Sequence, residues 1–307
     1  LATFVKSHRG HAIYSGHVVL VFDECHRSQF GDMHTDITRA FRNYHLFGFT
    51  GTPIFADNAS SSGKANLRTT EQAFGDQLHS YTIVDAIRDK TVLPFRVDYL
   101  NSFRVRDGID NHDVEGIDTD SAYMNPQRIS AVVSYILEHF DQKTKRHASF
   151  QYKERRVNGF NSLFATSSIK AARAYYQEFK RQQADLPEAR RLSVGIIYSY
   201  APNAEAPGTG LLSEESMDPS ALSQDDRAFL DEAIADYNQQ FGASFGTDAS
   251  GFEGYYTSLS TALAERRIDL VIVVDMFLTG FDSKSLNTLW VDKNLRAHGL
   301  IQAFSRT

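Results

Sequence analysis

Val18-Val19-Leu20-Val21-Phe22-Asp23-Glu24-Cys25-His26 is an apolar run that passes directly into two adjacent carboxylates. Residues of this type without a polar alternation predict a β-strand, and the missing alternation predicts a strand covered on both faces, as in a parallel sheet. The run stops at Asp23. A carboxylate at the carboxyl end of a parallel strand stands where open α/β sheets bind their ligands. Asp23 can there hold a divalent cation bridging phosphates, and Glu24 beside it can orient and deprotonate a water. His26 lies one step further out. Taken alone, an Asp-Glu pair is more often an acidic strand end before a turn.

Working outward, Asp32 to Asn43 reads as a helix, His45 to Phe49 as a second short strand, and Thr50-Gly51-Thr52-Pro53 as a turn. Asn125 and Pro126 form an N-cap and N1 pair, opening a helix whose Ile129, Val132, Val133, Ile136, Leu137 and Phe140 share one face. Further strands are predicted at Phe160 to Ala165, Ser193 to Tyr198, Leu270 to Val274 and Leu286 to Val291, with a helix from Ile169 to about Gln182. Strands alternating with helices are the signature of βαβ units. The fold class is therefore α/β, with parallel sheets flanked by helices.

The polar stretch Arg106 to Asp120, rich in Asp and Gly, has no apolar period. It divides the chain into a first domain at 1–105, a linker at 106–124 and a second domain at 125–307. Ser199 to Ala221 is dense in Pro, Gly, Ser and acidic residues and precedes a helical pattern carrying Phe229, Ala233, Ile234, Tyr237 and Phe241, so an insertion is expected near 199–256.

A length of 307 residues suits about two domains, and 42% hydrophobic with 23% charged residues is ordinary globular usage. No run approaches the roughly 20 apolar residues that span a bilayer, and the first residues lack the apolar centre of a signal peptide. A protein with no membrane association, located in the cytoplasm, is expected. Cys25 is the single cysteine, which excludes an intrachain disulfide. A net charge of -6 excludes a uniformly basic nucleic-acid coat but leaves room for a local basic groove. Cys25, His26 and His34 lack zinc-ligand spacing, and His8, His11 and His17 read as surface histidines.

With the apolar strand, Asp23-Glu24-Cys25-His26 and then Phe49-Thr50-Gly51-Thr52-Pro53, the sequence resembles superfamily 2 helicases and translocases. Phe74-Gly75-Asp76, Tyr81-Thr82-Ile83, Ala86-Ile87-Arg88-Asp89 and Val92-Leu93-Pro94 resemble the stretch that follows this turn in the motor (R) subunits of type I restriction enzymes. Val274 to Asp282 is similar to that family's motif V. Asp292-Lys293-Asn294-Leu295 and Leu300 to Thr307 are similar to its approach into motif VI.

The resemblance implies two RecA-like lobes, the first incomplete at its N-terminus, that bind ATP and Mg²⁺ and translocate double-stranded DNA. It makes Asp23 and Glu24 the Walker B pair, holding Mg²⁺ through water and activating the nucleophile. His26, Thr50 and Thr52 become coupling residues. Gly280, Asp282, Gln302 and Arg306 approach the nucleotide from the second lobe, with Arg306 neutralising charge on the transferred phosphoryl group. Thr166, Ser167 and Ser168, at a strand end before a helix, stand where motif IV contacts DNA, and an N-cap for the helix starting at Ile169 explains them at least as well without excluding that contact.

The implied partners are double-stranded DNA and the modification (methyltransferase) and specificity subunits of a restriction complex. Alternatives are another superfamily 2 enzyme, such as a chromatin remodeller or RNA helicase, and a non-catalytic RecA-like binding module. The sequence departs from the pattern in having no G-x-x-x-x-G-K-[ST] phosphate loop and in stopping within motif VI. An internal segment of a longer polypeptide, whose nuclease domain lies outside these residues, is therefore expected.

Overall fold

The computed structural model describes residues 2–8, 10–25, 32–59, 68–100, 122–198, 222–274, 276, 277, 281, 283–293 and 295. The chain divides into two compact units, with the break in the chain path after Pro94.

In the first unit, α1 (Ala2–Ser7) leads to β1 (His17–Phe22), α2 (Asp32–Ala40) and β2 (Asn43–Gly48), followed by α3 (Thr70–Phe74) and α4 (Ile83–Arg88). β1 and β2 pair in parallel, from His17 opposite Asn43 to Phe22 opposite Gly48, with α2 as the connection. Leu20, Ile37 and Phe41 form the buried cluster, joined by Val5, Val18, Phe22, Ala40 and Leu46.

Among the described residues β1 is covered on one face. Val19 and Val21 are 55% and 62% exposed, whereas Leu20 is 7% exposed. The strand's period of two sends Val18, Leu20 and Phe22 to the face that α1 and α2 cover, and among the described residues no element covers the other. α2 also ends earlier than predicted. Phe41 turns into the core, the Arg42 amide donates to the Tyr14 carbonyl at 3.2 Å, and Asn43 is taken into the ladder opposite His17. Thr69 with Gln72, and Thr82 with Asp85, close capping boxes on α3 and α4. These reciprocal bonds satisfy amide donors that the first helical turn leaves open.

In the second unit α5 (Pro126–Lys143) starts at Asn125, whose side chain accepts from the Gln127 and Arg128 amides, with Pro126 at N1. Ile129, Val133, Ile136 and Phe140 are buried, as the 3.6 period predicts. The hairpin of β3 (Ser149–Tyr152) and β4 (Arg155–Asn158) follows. β5 (Asn161–Thr166), α6 (Ile169–Gln183), β6 (Val194–Tyr198), α7 (Gln224–Phe241), α8 (Ala249–Ala264), β7 (Leu270–Val274) and β8 (Leu286–Asp292) complete the unit. The sheet has four parallel strands in the order β6-β7-β5-β8. β5 and β7 are buried along their whole length, which explains the unbroken apolar run of β7.

The insertion expected near 199–256 falls partly on residues outside the described ones. Residues 199–221 lie outside the described residues, but α7 buries Phe229, Leu230, Ala233, Ile234 and Tyr237, and α8 buries Phe252, Tyr255, Leu259, Ala262 and Leu263. The Tyr255 hydroxyl donates to the Ile196 carbonyl at 2.7 Å. These two helices form the packed crossover from β6 to β7, because the parallel neighbour of β6 can be reached only by a connection of this kind. The expected linker falls mostly on residues outside the described ones.

Candidate nucleotide site

Directly after β1 the chain turns through Asp23, Glu24 and Cys25. Glu24 takes a left-handed backbone, φ 47°, a conformation that costs a non-glycine residue roughly 1–2 kcal/mol. Its amide donates to Asp23 Oδ1 at 2.9 Å, which closes the turn. Asp23 and Glu24 are exposed and Cys25 is fully buried, so the turn is pinned from inside while both carboxylates face solvent. Burial pushes the Cys25 thiol up to about 11, with Glu24 and Asp23 adding to the shift. It is a packed thiol.

Phe49 joins this turn to the next. Its amide donates to the Phe22 carbonyl at 2.8 Å, and its own carbonyl accepts from the Cys25 amide at 3.0 Å. The following Thr50 accepts from the Thr52 amide through Oγ1 at 3.0 Å, and Thr52 is buried. Ile54 then exchanges bonds with Thr70 at the start of α3, its amide donating to Thr70 Oγ1 at 2.8 Å and its carbonyl accepting from the Thr70 amide at 2.9 Å. The Asp23-Glu24 and Thr50-Thr52 turns, distant in sequence, are thus neighbours at the carboxyl ends of two paired strands.

Among the described residues no group of three or more His, Cys, Asp or Glu side chains forms a metal cage. Two adjacent exposed carboxylates nevertheless suit Mg²⁺, which keeps several waters and takes one or two carboxylates together with substrate phosphates. His26, Gly280, Asp282, Gln302 and Arg306 lie outside the described residues.

In the second unit Met276 and Phe277, which follow β7, are fully buried. The Phe277 ring packs against Tyr256 and Phe281 at centroid distances of 5.2 and 4.8 Å. Thr166 is buried and donates its hydroxyl to the Val273 carbonyl at 3.2 Å, so it ties β5 to β7. Ser168 accepts from the Ala171 amide at 3.1 Å as the N-cap of α6. Ser167 alone of the three is exposed. Thr166 thus holds the strand end, while Ser168, which caps the helix as an acceptor, keeps its own hydroxyl proton.

The sequence reading missed one cluster. Arg128, on the first turn of α5, forms a two-point ion pair with Asp292 at the end of β8, and its Nη1 donates to Asp292 Oδ2 at 2.9 Å and to the Tyr175 hydroxyl at 3.1 Å. Tyr175 donates to the same carboxylate, and burial together with that carboxylate raises the phenol well above its ordinary value. Arg128 and Asp292 are 164 positions apart. Nothing local in either stretch signals the pairing.

Residues 4–127 match the description SWI2/SNF2 ATPase, and residues 158–307 match type I restriction enzyme subunit R domain 3. A type I restriction enzyme endonuclease subunit of Staphylococcus aureus (strain MRSA252) is 41% identical over 294 residues, covering 94% of this chain and 29% of that protein. The chain belongs to the type I restriction enzyme R subunit family. A second such subunit, from Staphylococcus saprophyticus, is 42% identical over 294 residues, and a putative one from Methanocaldococcus jannaschii is 25% identical over 320 residues. The chain spans 29% of the length of the staphylococcal R-subunit relatives. In this ATPase family parallel sheets flanked by helices are RecA-like lobes, which is the α/β architecture of both units.

Proposed function

We propose that this R-subunit segment belongs to an ATP-hydrolysing motor that moves along double-stranded DNA. The carrying observation is the Asp23-Glu24 turn at the carboxyl end of parallel β1, stitched through Phe49 to the Thr50-Thr52 turn. Asp23 would hold Mg²⁺, which supplies charge neutralisation for the phosphates, and Glu24 would orient and deprotonate the attacking water. Thr50 and Thr52 stand on a turn that any shift of the Walker B turn must move, because Phe49 is bonded to both sides of it.

Gly280, Asp282, Gln302 and Arg306 are proposed to serve the nucleotide from the second lobe, with His26 coupling in the first. The exposed Ser167 at the start of α6 is a candidate phosphate contact. The lobes are proposed to divide at the linker 106–124. The parent would act in the cytoplasm with modification and specificity subunits, cleaving DNA through a separate nuclease domain. Among the described residues no helix is long and apolar enough to cross a membrane.

The test uses the full-length polypeptide. Glu24→Gln keeps the side chain's size and removes its basicity, so ATP should still bind in Mg²⁺ while turnover falls roughly 10²- to 10⁴-fold. Asp23→Asn should weaken nucleotide affinity in Mg²⁺ along with turnover. Normal hydrolysis by the Glu24→Gln protein would remove Glu24 from catalysis. Stimulation of the ATPase by RNA and not by duplex DNA would favour the helicase alternative.

A further inference from the structure

Glu24 sits in a strained backbone conformation, and such a conformation persists only where the surroundings over-determine it. The residues around it show what does so. Cys25 is fully buried directly after Glu24, and a Cβ added at Gly48 would stand 2.8 Å from its Sγ. The same added Cβ would stand 2.8 and 2.9 Å from two ring carbons of Phe74, the last residue of α3. The thiol and the ring therefore share the space above the Gly48 Cα. Immediately beyond Gly48, Phe49 bonds on one side to Phe22 and on the other to Cys25.

We infer that Gly48 and Phe74 are positioning residues for Glu24, acting through Cys25. Gly48 leaves the pocket that admits the Cys25 side chain, and Phe74 closes it. With Cys25 seated, its amide reaches the Phe49 carbonyl, and the intervening Glu24 is held left-handed with its carboxylate outward. The inference rests on the ATPase reading above. It adds that α3, which carries no reacting group, sets the geometry of the proposed general base.

The physical reason lies in the close packing. A methyl at Gly48 cannot be absorbed by a shift of the sulfur alone, because the ring blocks the other side. The thiol must leave its seat or β2 must move away from β1. Either change releases the Cys25 amide from Phe49 and lets Glu24 relax.

The experiment compares wild type, Gly48→Ala and Phe74→Leu in the full-length polypeptide. It reads kcat for ATP hydrolysis, the Kd of a fluorescent ATP analogue in Mg²⁺, and N-ethylmaleimide labelling of the Cys25 peptide by mass spectrometry. Gly48→Ala should lower kcat by about tenfold or more, change Kd less than about twofold, and speed Cys25 labelling by about tenfold. Phe74→Leu should shift all three in the same direction by less, and it decides the matter if Gly48→Ala does not fold.

Unchanged kcat and labelling in both single variants would overturn the inference. So would a parallel fall of kcat and nucleotide affinity, which marks a general loss of structure. The Glu24→Gln variant separates the two readings. If it hydrolyses ATP normally the ATPase reading fails first, and if it is inactive while Gly48→Ala is normal only the positioning role fails.

Discussion

Replacing Arg128 by Met removes one partner of a buried ion pair and keeps most of its apolar stem. The Arg128 and Asp292 side chains are 7% and 13% exposed, so Asp292 would be left charged with little water to solvate it. Breaking a pair of this kind typically costs about 3–5 kcal/mol. The Tyr175 hydroxyl still donates to the stranded carboxylate, which argues for the lower end. Against that, Arg128 also lies 4.7 Å over the Tyr123 ring, a contact worth about 0.5–1 kcal/mol when partly exposed. A loss of about 3–4 kcal/mol is expected, roughly a hundred- to a thousandfold in the unfolding equilibrium.

Urea unfolding of the 307-residue chain followed by tryptophan fluorescence measures it directly. Trp290 is the single tryptophan, sits two positions before Asp292 on β8 and is 9% exposed. Asp292→Asn should cost a similar amount, and the double variant should cost less than the sum by at least about 2 kcal/mol. A cost below about 1 kcal/mol for Arg128→Met, or strict additivity in the cycle, would show that the pair is not the buried tie described here.

Three further outcomes follow from single contacts. Gly159 has φ 61°, and a Cβ there would stand 2.6 Å from the Arg146 Cα and 2.8 Å from the Thr144 carbonyl, so Gly159→Ala should destabilise the second unit by about 2 kcal/mol or more in the same urea assay. An unchanged midpoint would contradict the cramped turn. Burial lowers the pKa of His34, which is 7% exposed, so its contribution is complete above the ordinary histidine pKa and is lost as pH falls through that value toward the lowered one. Melting curves between pH 7 and 5 should therefore show a steeper acid loss in wild type than in His34→Gln. Tyr255→Phe leaves the Ile196 carbonyl without its 2.7 Å donor and should cost about 1–2 kcal/mol, read as a shift in the urea midpoint at unchanged slope.

The sequence by itself determined the alternation of strands and helices. Six strands and the main helices were legible because an apolar run or a 3.6 period is a local property of the chain. The caps at Asn125 and Ser168 were legible for the same reason, since a cap bonds only to its own first turn. The Asp23-Glu24 turn and its likeness to a nucleotide motor were also written in consecutive residues.

Only the tertiary structure decided which face of β1 is covered, because an apolar run is compatible with one cover or two, and the helices that choose are elsewhere in the chain. It likewise decided that the helices Gln224–Phe241 and Ala249–Ala264 pack into the core between β6 and β7, which their own sequence pattern does not disclose. Thr166 became a strand tie for the same reason, its hydroxyl finding a carbonyl 107 positions away. The seat of Cys25 over Gly48 and the Arg128-Asp292 pair belong with these. Each depends on residues far apart in sequence that meet only after the strands have paired, and composition carries no record of such a meeting.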